Sequence, residues 1–295
     1  MAATLAIPLP AAYRSEDVLD FHRRDSESVA EQVSATSLRK GVMFDGVPVV
    51  LEVQIGSQAA RCRIDAGGKV GKRLGAVAHD ALLNILGLRI DPAPFMQAVR
   101  GDALLGAVVQ RIPGLRIVQS ATVFEALTWA IIGQQINLPF AIALRRTFIQ
   151  QAGRQHASRL WCYPEAADVA RLDLDALTSR KFSRAKAETL LRVARLADSG
   201  ELSLARDDDP VRAAHALLEV KGIGPWTVNY TLLRGYGYAD CSLHGDVAIR
   251  TALQRLLGAD SKPDLARTEA LLARYAPHRT MAAAYLWASL NQPAG

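Results

Sequence analysis

The chain has 295 residues, enough for two or three packed subdomains, and with 50% hydrophobic and 22% charged residues it is not disordered as its main state. The 35 lysine and arginine residues outnumber the 29 aspartate and glutamate residues, and the net charge of +6 weakly favours an anionic partner such as nucleic acid. Three scattered cysteines, Cys62, Cys162 and Cys241, match no zinc or iron–sulfur ligand motif, so we expect buried free thiols in a reducing compartment.

The N-terminal part of the chain has the pattern of a mixed β/α region. Met1–Pro10 lacks the basic segment and the length of a secretory signal, so we expect a cytoplasmic protein. Apolar and polar residues alternate in Leu51–Ile55 and in Arg61–Ile64, which predicts two half-buried strands. Asp45-Gly46 ahead of them is typical of a hairpin turn. The apolar residues of Leu74–Ile85 have helical spacing, which predicts one amphipathic helix packed on the sheet.

Proline and glycine residues then interrupt a short helical connector, and we place a domain boundary within Ile112–Gln119. The prediction is an α+β fold, with a mixed β/α domain at residues 1–115 and an all-helical domain at residues 116–295. Ala126–Leu144 has no charged residue and is nearly long enough to span a membrane, but the polar amides in its middle would be costly in lipid. We predict a helix, a tight turn and a second helix there, and no membrane contact.

Helix starts in the second part are predicted from N-cap residues that precede apolar residues in helical spacing. The four N-caps are Thr122, Ser183, Asp209 and Asp246. Thr122 has capping-box spacing to Glu125, and Asp209 precedes Pro210 in a helix that reaches Val220. A last helix is expected over Arg279–Leu290.

The densest motif is Leu218–Thr227, in which Gly-Ile-Gly separates the end of one helix from the start of the next. Gly222 and Gly224 allow positive φ and remove side chains, so that backbone amides at a helix N-terminus can contact a phosphate. Ile223 between them would anchor the turn in the core. This pattern is typical of a helix-hairpin-helix, which binds the DNA backbone and here would use Gly222, Ile223, Gly224 and Thr227. A plain corner between two helices is the alternative.

Asp246 follows Gly224 by 22 residues (246 − 224) and opens the next predicted helix. As an N-cap it would bond helix amides, and the positive helix end would keep its carboxylate ionised. With the hairpin before it, this segment resembles the helix-hairpin-helix superfamily of DNA base-excision glycosylases, above all the 3-methyladenine DNA glycosylase II (AlkA) type. The resemblance implies that Asp246 is the catalytic carboxylate, a role compatible with capping. His244 is close enough in sequence to compete as an acid or base, but we leave it outside the catalytic set.

The resemblance runs from the turn at Gly133 to Trp287, and the N-terminal part looks like that family's smaller, TBP-like domain. It implies that Gln134 and Gln135 form a DNA-binding turn in which Gln135 fills the hole left by an extruded base. A solvent-exposed turn residue is the alternative for Gln135. Gly245 stands where the best-known member has an acidic residue, which removes a charge beside the carboxylate.

Position 226 distinguishes two kinds of chemistry in this superfamily. Bifunctional glycosylase-lyases carry a lysine there, and its amine forms a Schiff base with the sugar. This chain has Trp226, and Lys221 lies on the other side of the hairpin. The resemblance therefore implies a monofunctional glycosylase that uses water as the nucleophile.

Aromatic residues are predicted to bind the base. Trp226 and Tyr230 one turn later would offer ring faces to a purine that alkylation has made cationic. Family matching adds Trp287, and Phe21 would contribute from the smaller domain. Core packing is the alternative for each. The other two tryptophans, Trp129 and Trp161, are assigned to the core.

The predicted function is excision of alkylated bases of the 3-methyladenine and 7-methylguanine type from double-stranded DNA. A non-enzymatic helix-hairpin-helix DNA-binding protein and a glycosylase for another lesion are the alternatives. No cofactor is required, but the resemblance implies a possible monovalent cation, Na⁺ or K⁺, on the backbone carbonyls of Leu218, Val220 and Ile223. We expect a monomer associated with a bacterial nucleoid.

Overall fold

The structure, a computed structural model, describes residues 2–291, so the outermost residues of the two predicted domain ranges lie outside it. Its N-terminal region contains a five-stranded antiparallel sheet with the strand order β1-β5-β4-β3-β2. The strands are β1 (Ala3–Pro8), β2 (Glu31–Val33), β3 (Ser37–Phe44), β4 (Val47–Ile55) and β5 (Ala59–Asp65). The expected turn at Asp45-Gly46 and the two expected strands are confirmed, whereas β1 forms in a segment for which no strand was predicted.

Two helices, α1 (Ser15–His22) and α2 (Lys72–Ile85), pack on this sheet. The buried apolar residues of α2 follow the expected helical spacing, and they are Ala78, Ala81, Leu82 and Ile85. Val77 was expected on the same face but is 39% exposed. Each residue turns the helix by about 100°, so a side chain one position before Ala78 points well away from the face that Ala78 buries.

Helices form most of the remainder, with two short strands and one π-helical turn at Leu232–Tyr236. The helices are α3 (Ala93–Ala98), α4 (Gly106–Arg111), α5 (Val123–Gly133), α6 (Leu138–Ala152), α7 (Ala166–Ala170), α8 (Asp175–Thr178), α9 (Arg184–Asp198), α10 (Pro210–Leu218), α11 (Pro225–Thr231), α12 (Val247–Leu257), α13 (Leu265–Ala273) and α14 (Arg279–Ser289), and the strands are β6 (Arg154–Gln155) and β7 (Trp161–Cys162). All four predicted N-caps accept a hydrogen bond from the amide three residues later. The α10 helix ends at Leu218 and does not reach Val220.

Apolar side chains form two cores, one around the sheet and one among the helices. The side chains of α3 and α4, such as Phe95 and Val108, belong to the helical core although they precede the predicted boundary at 115/116. That boundary stays a prediction. The three cysteines are buried and free, as expected. Within residues 2–291 no helix has the length and apolar character needed to cross a membrane.

A cluster of four charges joins the sheet to the helices, and we call it the buried ion cluster. Lys40, Glu31 and Glu125 are buried, and Arg145 is partly buried. Lys40 on β3 donates to Glu31 on β2 at 2.5 Å and to Glu125 on α5 at 2.7 Å. Arg145 on α6 donates to the same two carboxylates at 2.6 and 2.9 Å. Burial alone would raise the pKa of Glu125, but the charges of Lys40 and Arg145 lower it overall.

The buried ion cluster also explains a departure from the predicted capping box. The hydroxyl of Thr122 accepts from the amide of Glu125, as expected. The Glu125 carboxylate does not return to Thr122 but accepts from Ala121 and from the two cations. The two cations of the cluster stabilise a carboxylate more than one backbone amide does, so tertiary contact overrides the local motif.

Candidate active site

Asp246 lies at the edge of an open groove with a volume of about 740 Å³, which we call the Asp246 groove. Its walls come from the α5–α6 turn, the loop before α11 and the first turn of α12. The lining residues are Gly133, Gln134, Gln135, Ile136, Gly222, Gly224, Pro225, Trp226, Thr227, Gly245, Asp246, Val247 and Ala248. The predicted turn, hairpin and carboxylate are therefore brought together although they come from three distant parts of the chain.

The Asp246 carboxylate accepts three hydrogen bonds. Nε1 of Trp226 donates to Oδ2 at 2.9 Å, and Nε1 of Trp287 donates to Oδ1 at 3.2 Å. The amide of Ile249 donates to Oδ1 at 3.0 Å, which is the N-cap contact of α12. Because a carboxylate offers about four lone-pair sites, one remains for a water or a sugar. The two indoles thus hold the carboxylate in a single orientation beside the groove.

The predicted aromatic residues form a continuous wall next to Asp246. The ring of Tyr230 lies 5.2 Å from that of Trp226 and 6.3 Å from that of Trp287, centroid to centroid. Tyr230 is 9% exposed, and its hydroxyl accepts from Nε1 of Trp129 at 3.0 Å. Trp129, which we had assigned to the core, is partly buried and sets the position of Tyr230 through this hydrogen bond.

Phe21 on α1 is linked to this wall by Arg234, whose guanidinium contacts both. No role for Arg234 was predicted from the sequence. The guanidinium of Arg234 lies 4.7 Å from the Phe21 ring, 5.8 Å from Tyr230 and 5.6 Å from Trp287. The guanidinium of Arg24 also lies over the Phe21 ring, 4.2 Å from the ring centroid. We call the space bounded by these five residues the aromatic cleft.

A sequence signal for Arg234 existed. It follows Trp226 and Tyr230 at successive four-residue steps, so all three share a helix face.

Arg24 is exposed by area, yet protein atoms surround its charged end. That desolvation, and then the charge of Arg234, lower the pKa of Arg24 to about 10.

The two glycines of the hairpin differ in backbone conformation. Gly222 has φ +98°, and a Cβ there would lie 2.2 Å from Oγ1 of Thr189. Gly224 has φ −113°, so the positive φ that a glycine allows is not used there. A Cβ at Gly224 would meet no protein atom within 4 Å, which leaves its backbone open towards the groove. Ile223 is 7% exposed and anchors the hairpin in the helical core, as expected.

Gln134 and Thr227 line the groove, and their side chains are hydrogen-bonded to each other. Nε2 of Gln134 donates to the Gly222 carbonyl at 3.1 Å and to the Thr227 hydroxyl at 2.9 Å. Thr227 is 2% exposed, so its side chain cannot reach DNA in this structure. Its backbone amide, in the first turn of α11, has no acceptor within the helix and remains available.

Gln135 occupies the tip of the α5–α6 turn. Its side chain is exposed and its φ is +56°, a left-handed conformation that turns the chain between the two helices. Two exposed apolar residues follow it on α6, Leu138 at 50% and Phe140 at 38%. The tip is therefore free to enter a partner, and its assignment as a wedge stays a prediction.

Comparison with known proteins points in one direction. Residues 128–278 match the family described as HhH-GPD superfamily base excision DNA repair protein. A protein of Bacillus subtilis, DNA-3-methyladenine glycosylase, is 31% identical over 202 residues, which cover 67% of each chain. DNA-3-methyladenine glycosylase 2 of Escherichia coli is 29% identical over 88% of this chain and 87% of its own length. The structure of a 3-methyladenine DNA-glycosylase from Archaeoglobus fulgidus superposes with a TM-score of 0.83 over 96% of this chain and 97% of that one, at 21% identity.

Proposed function

The chain belongs to the HhH-GPD superfamily of base excision DNA repair proteins, and we propose that it is a DNA glycosylase that excises alkylated bases of the 3-methyladenine and 7-methylguanine type from double-stranded DNA. One observation carries the proposal: Asp246 lies in an open groove between the hairpin and two indoles that orient it. The names of the relatives from Bacillus subtilis and Escherichia coli support the same activity.

The hairpin and the turn would hold the DNA. Backbone amides at Gly224 and the first turn of α11 offer donors to a phosphate where no side chain intervenes. The net charge of +6 adds a salt-sensitive attraction. Extruding a nucleotide costs a few kcal/mol, and Gln135 at its exposed tip would fill the resulting gap in the duplex.

Asp246 would act on the sugar. As the N-glycosidic bond lengthens, positive charge develops on the deoxyribose, and an oriented carboxylate stabilises that charge. The three donors on Asp246 leave a lone pair that can accept from an attacking water. An alkylated cationic purine leaves without prior protonation, so this mechanism needs no strong general acid.

Water would be the nucleophile. Trp226, and not a lysine, follows the hairpin, and its indole nitrogen is committed to Asp246. No lysine is among the residues that line the Asp246 groove. A Schiff base with the sugar therefore has no amine to form it at this position, and borohydride should trap no protein–DNA adduct.

A monovalent cation at the hairpin is a further part of the proposal. The proposed ligands are the carbonyls of Leu218, Val220 and Ile223, which belong to the hairpin segment, and oxygen ligands of this kind suit such an ion. The Val220 carbonyl already accepts from the Ile223 amide at 3.0 Å and would offer its second lone pair. A bound ion would stiffen the backbone that contacts phosphate.

The test is chromatography of the bases released from methylated duplex DNA by the wild type and by Asp246→Asn. Asparagine can still cap α12, so the variant should fold and bind an abasic-site analogue. We expect base release to fall by about 10²–10³-fold because a stabilising charge is lost.

Asp264→Asn is the matched control, since Asp264 caps α13 through the amide of Arg267 and does not line the groove. It should keep wild-type release. Equal base release by Asp246→Asn and the wild type would show that Asp246 does not take part in the reaction. Salt-sensitive DNA binding by a wild type that releases no base would instead indicate a DNA-binding protein without enzymatic activity.

A further inference from the structure

The aromatic cleft contains two arginines for which residues 2–291 provide no anionic partner. Arg234 is 7% exposed; one Nη donates to the Val118 carbonyl, while its buried Nε has no partner in the described structure. Within residues 2–291 Arg24 makes ring contact with Phe21 but no hydrogen bond or ion pair. Buried donors are nearly always satisfied in folded proteins, so an unmatched guanidinium N–H on a residue that lines a surface pocket indicates an acceptor supplied from outside.

The nearby carboxylates are engaged elsewhere. Asp17 and Asp20 line the adjoining surface together with Arg24 and Arg234. Asp17 pairs with Arg14 and accepts from the Arg116 amide, and Asp20 pairs with Arg23. Neither neutralises the two arginines of the cleft.

These arginines change what the ring faces can bind. A cationic purine would use the faces of Tyr230 and Trp287. Arg234 already lies over both rings at 5.8 and 5.6 Å, so a second cation there would meet a like charge at close range. A guanidinium has the opposite preference: it donates to a carbonyl oxygen, and on guanine it bonds the O6 and N7 edge in bidentate fashion.

We propose that Arg24 and Arg234 make the aromatic cleft select bases with an exocyclic carbonyl oxygen, the 6-oxopurines, over 3-methyladenine, which is cationic and carries an amino group at that position. The inference rests on the proposed glycosylase function and specifies its substrate class. Among lesions, 7-methylguanine retains O6. Hypoxanthine presents O6 and a free N7 without a positive charge, so its ring takes the electron pair of the broken bond as an anion, which the guanidinium donors would stabilise until solvent protonates it.

A phosphate fits Arg234 less well than a base does. Its guanidinium is buried beneath three aromatic rings, whereas the backbone of bound DNA would follow the open Asp246 groove. A phosphate contact would also affect all lesions alike, and that difference makes the two readings separable by experiment.

The experiment measures single-turnover excision of hypoxanthine from a defined duplex, and release of 7-methylguanine and 3-methyladenine from methylated DNA, by the wild type, Arg24→Met and Arg234→Met. Each variant should lower excision of hypoxanthine relative to 3-methyladenine by about tenfold or more, as expected for a lost hydrogen bond from a charged donor. The ratio of 7-methylguanine to 3-methyladenine should fall in the same direction. Arg24→Lys keeps the charge without the fork and should lose part of the preference.

Arg23→Met is the matched control, because Arg23 is the neighbour of Arg24 but is exposed and bonded to Asp20 and the Ser34 carbonyl. It should leave all ratios unchanged. If Arg234→Met does not fold, as thermal unfolding would show, Arg24→Met carries the test, since no hydrogen bond of the described structure depends on its side chain. A uniform loss for every base, or unchanged ratios, would overturn the inference while leaving the glycosylase intact. A wild type that releases no base from any substrate would instead refute the proposed function on which the inference rests.

Discussion

The buried ion cluster and the aromatic cleft are two charged regions of one protein, and they differ in whether their charges have partners of opposite sign. In the cluster Lys40 and Arg145 each contact both Glu31 and Glu125, so every charge has two partners. In the cleft the guanidinium of Arg234 contacts rings and one carbonyl. Among the described residues, all donors to Asp246 in the adjacent groove are neutral. Charges that are paired hold the sheet to the helices, and charges that are left unpaired are available to a ligand.

The largest effect should come from unpairing the cluster. Lys40→Met leaves two buried carboxylates with a single cation, and we expect the free energy of unfolding to fall by about 3–5 kcal/mol. Denaturant unfolding followed by circular dichroism measures it. Arg184→Met is the control, since it removes an exposed ion pair to Glu188, and a change within about 0.5 kcal/mol is expected. Similar losses for both variants would show that burial of the cluster adds nothing.

Acid should act on the same interface through His22. Burial, and then the charge of Lys40, lower the pKa of His22 from 6.5 to about 4. A lowered pKa in the folded state contributes stability that is present above pH 6.5 and is lost as pH falls through about 4. We expect a loss of about 3 kcal/mol across this window.

His22→Gln should flatten the pH dependence of stability between those two values, measured as the unfolding free energy at several pH values. His79 is exposed on α2, so His79→Gln should leave the curve as in the wild type. A wild-type curve that is already flat would contradict the assignment.

The smallest effect separates stability from binding in the hairpin. Gly222→Ala places a Cβ 2.2 Å from Thr189 at a positive φ, and we expect a loss of about 1–3 kcal/mol in stability. Gly224→Ala meets no protein atom and has a negative φ, so stability should change little, within about 0.5 kcal/mol.

The affinity of Gly224→Ala for an abasic-site duplex should nevertheless fall, because its methyl group would stand where a phosphate approaches the amides. Fluorescence anisotropy at fixed salt measures this affinity. Unchanged binding by Gly224→Ala would argue against phosphate contact at the hairpin.

Much of the helical region could be predicted because its signals are local. The hydroxyl of Ser183 and the carboxylates of Asp209 and Asp246 cap their helices through contacts three residues away, and the spacing alone shows them. The hairpin was visible for the same reason, as two glycines around one buried isoleucine. The strand β1 was missed because its short pattern is completed only by pairing with β5, far along the chain.

In the candidate site, too, the residue types could be predicted from the sequence, but the contacts between distant residues could not. The residue types at 226, 246 and 287 could be selected from the sequence, but not that both indoles would donate to one carboxylate. Likewise Lys40 and Glu125 are 85 residues apart, and no local pattern relates them.

The sequence by itself determined the helix starts, the hairpin and the position of the carboxylate, because contacts within one turn of chain depend only on near neighbours. The tertiary structure alone decided which charges are neutralised and which face the cleft. The burial of a charge and the partners available to it depend on the elements packed around it. Arg234 becomes part of the aromatic cleft only because α1 places Phe21 against it.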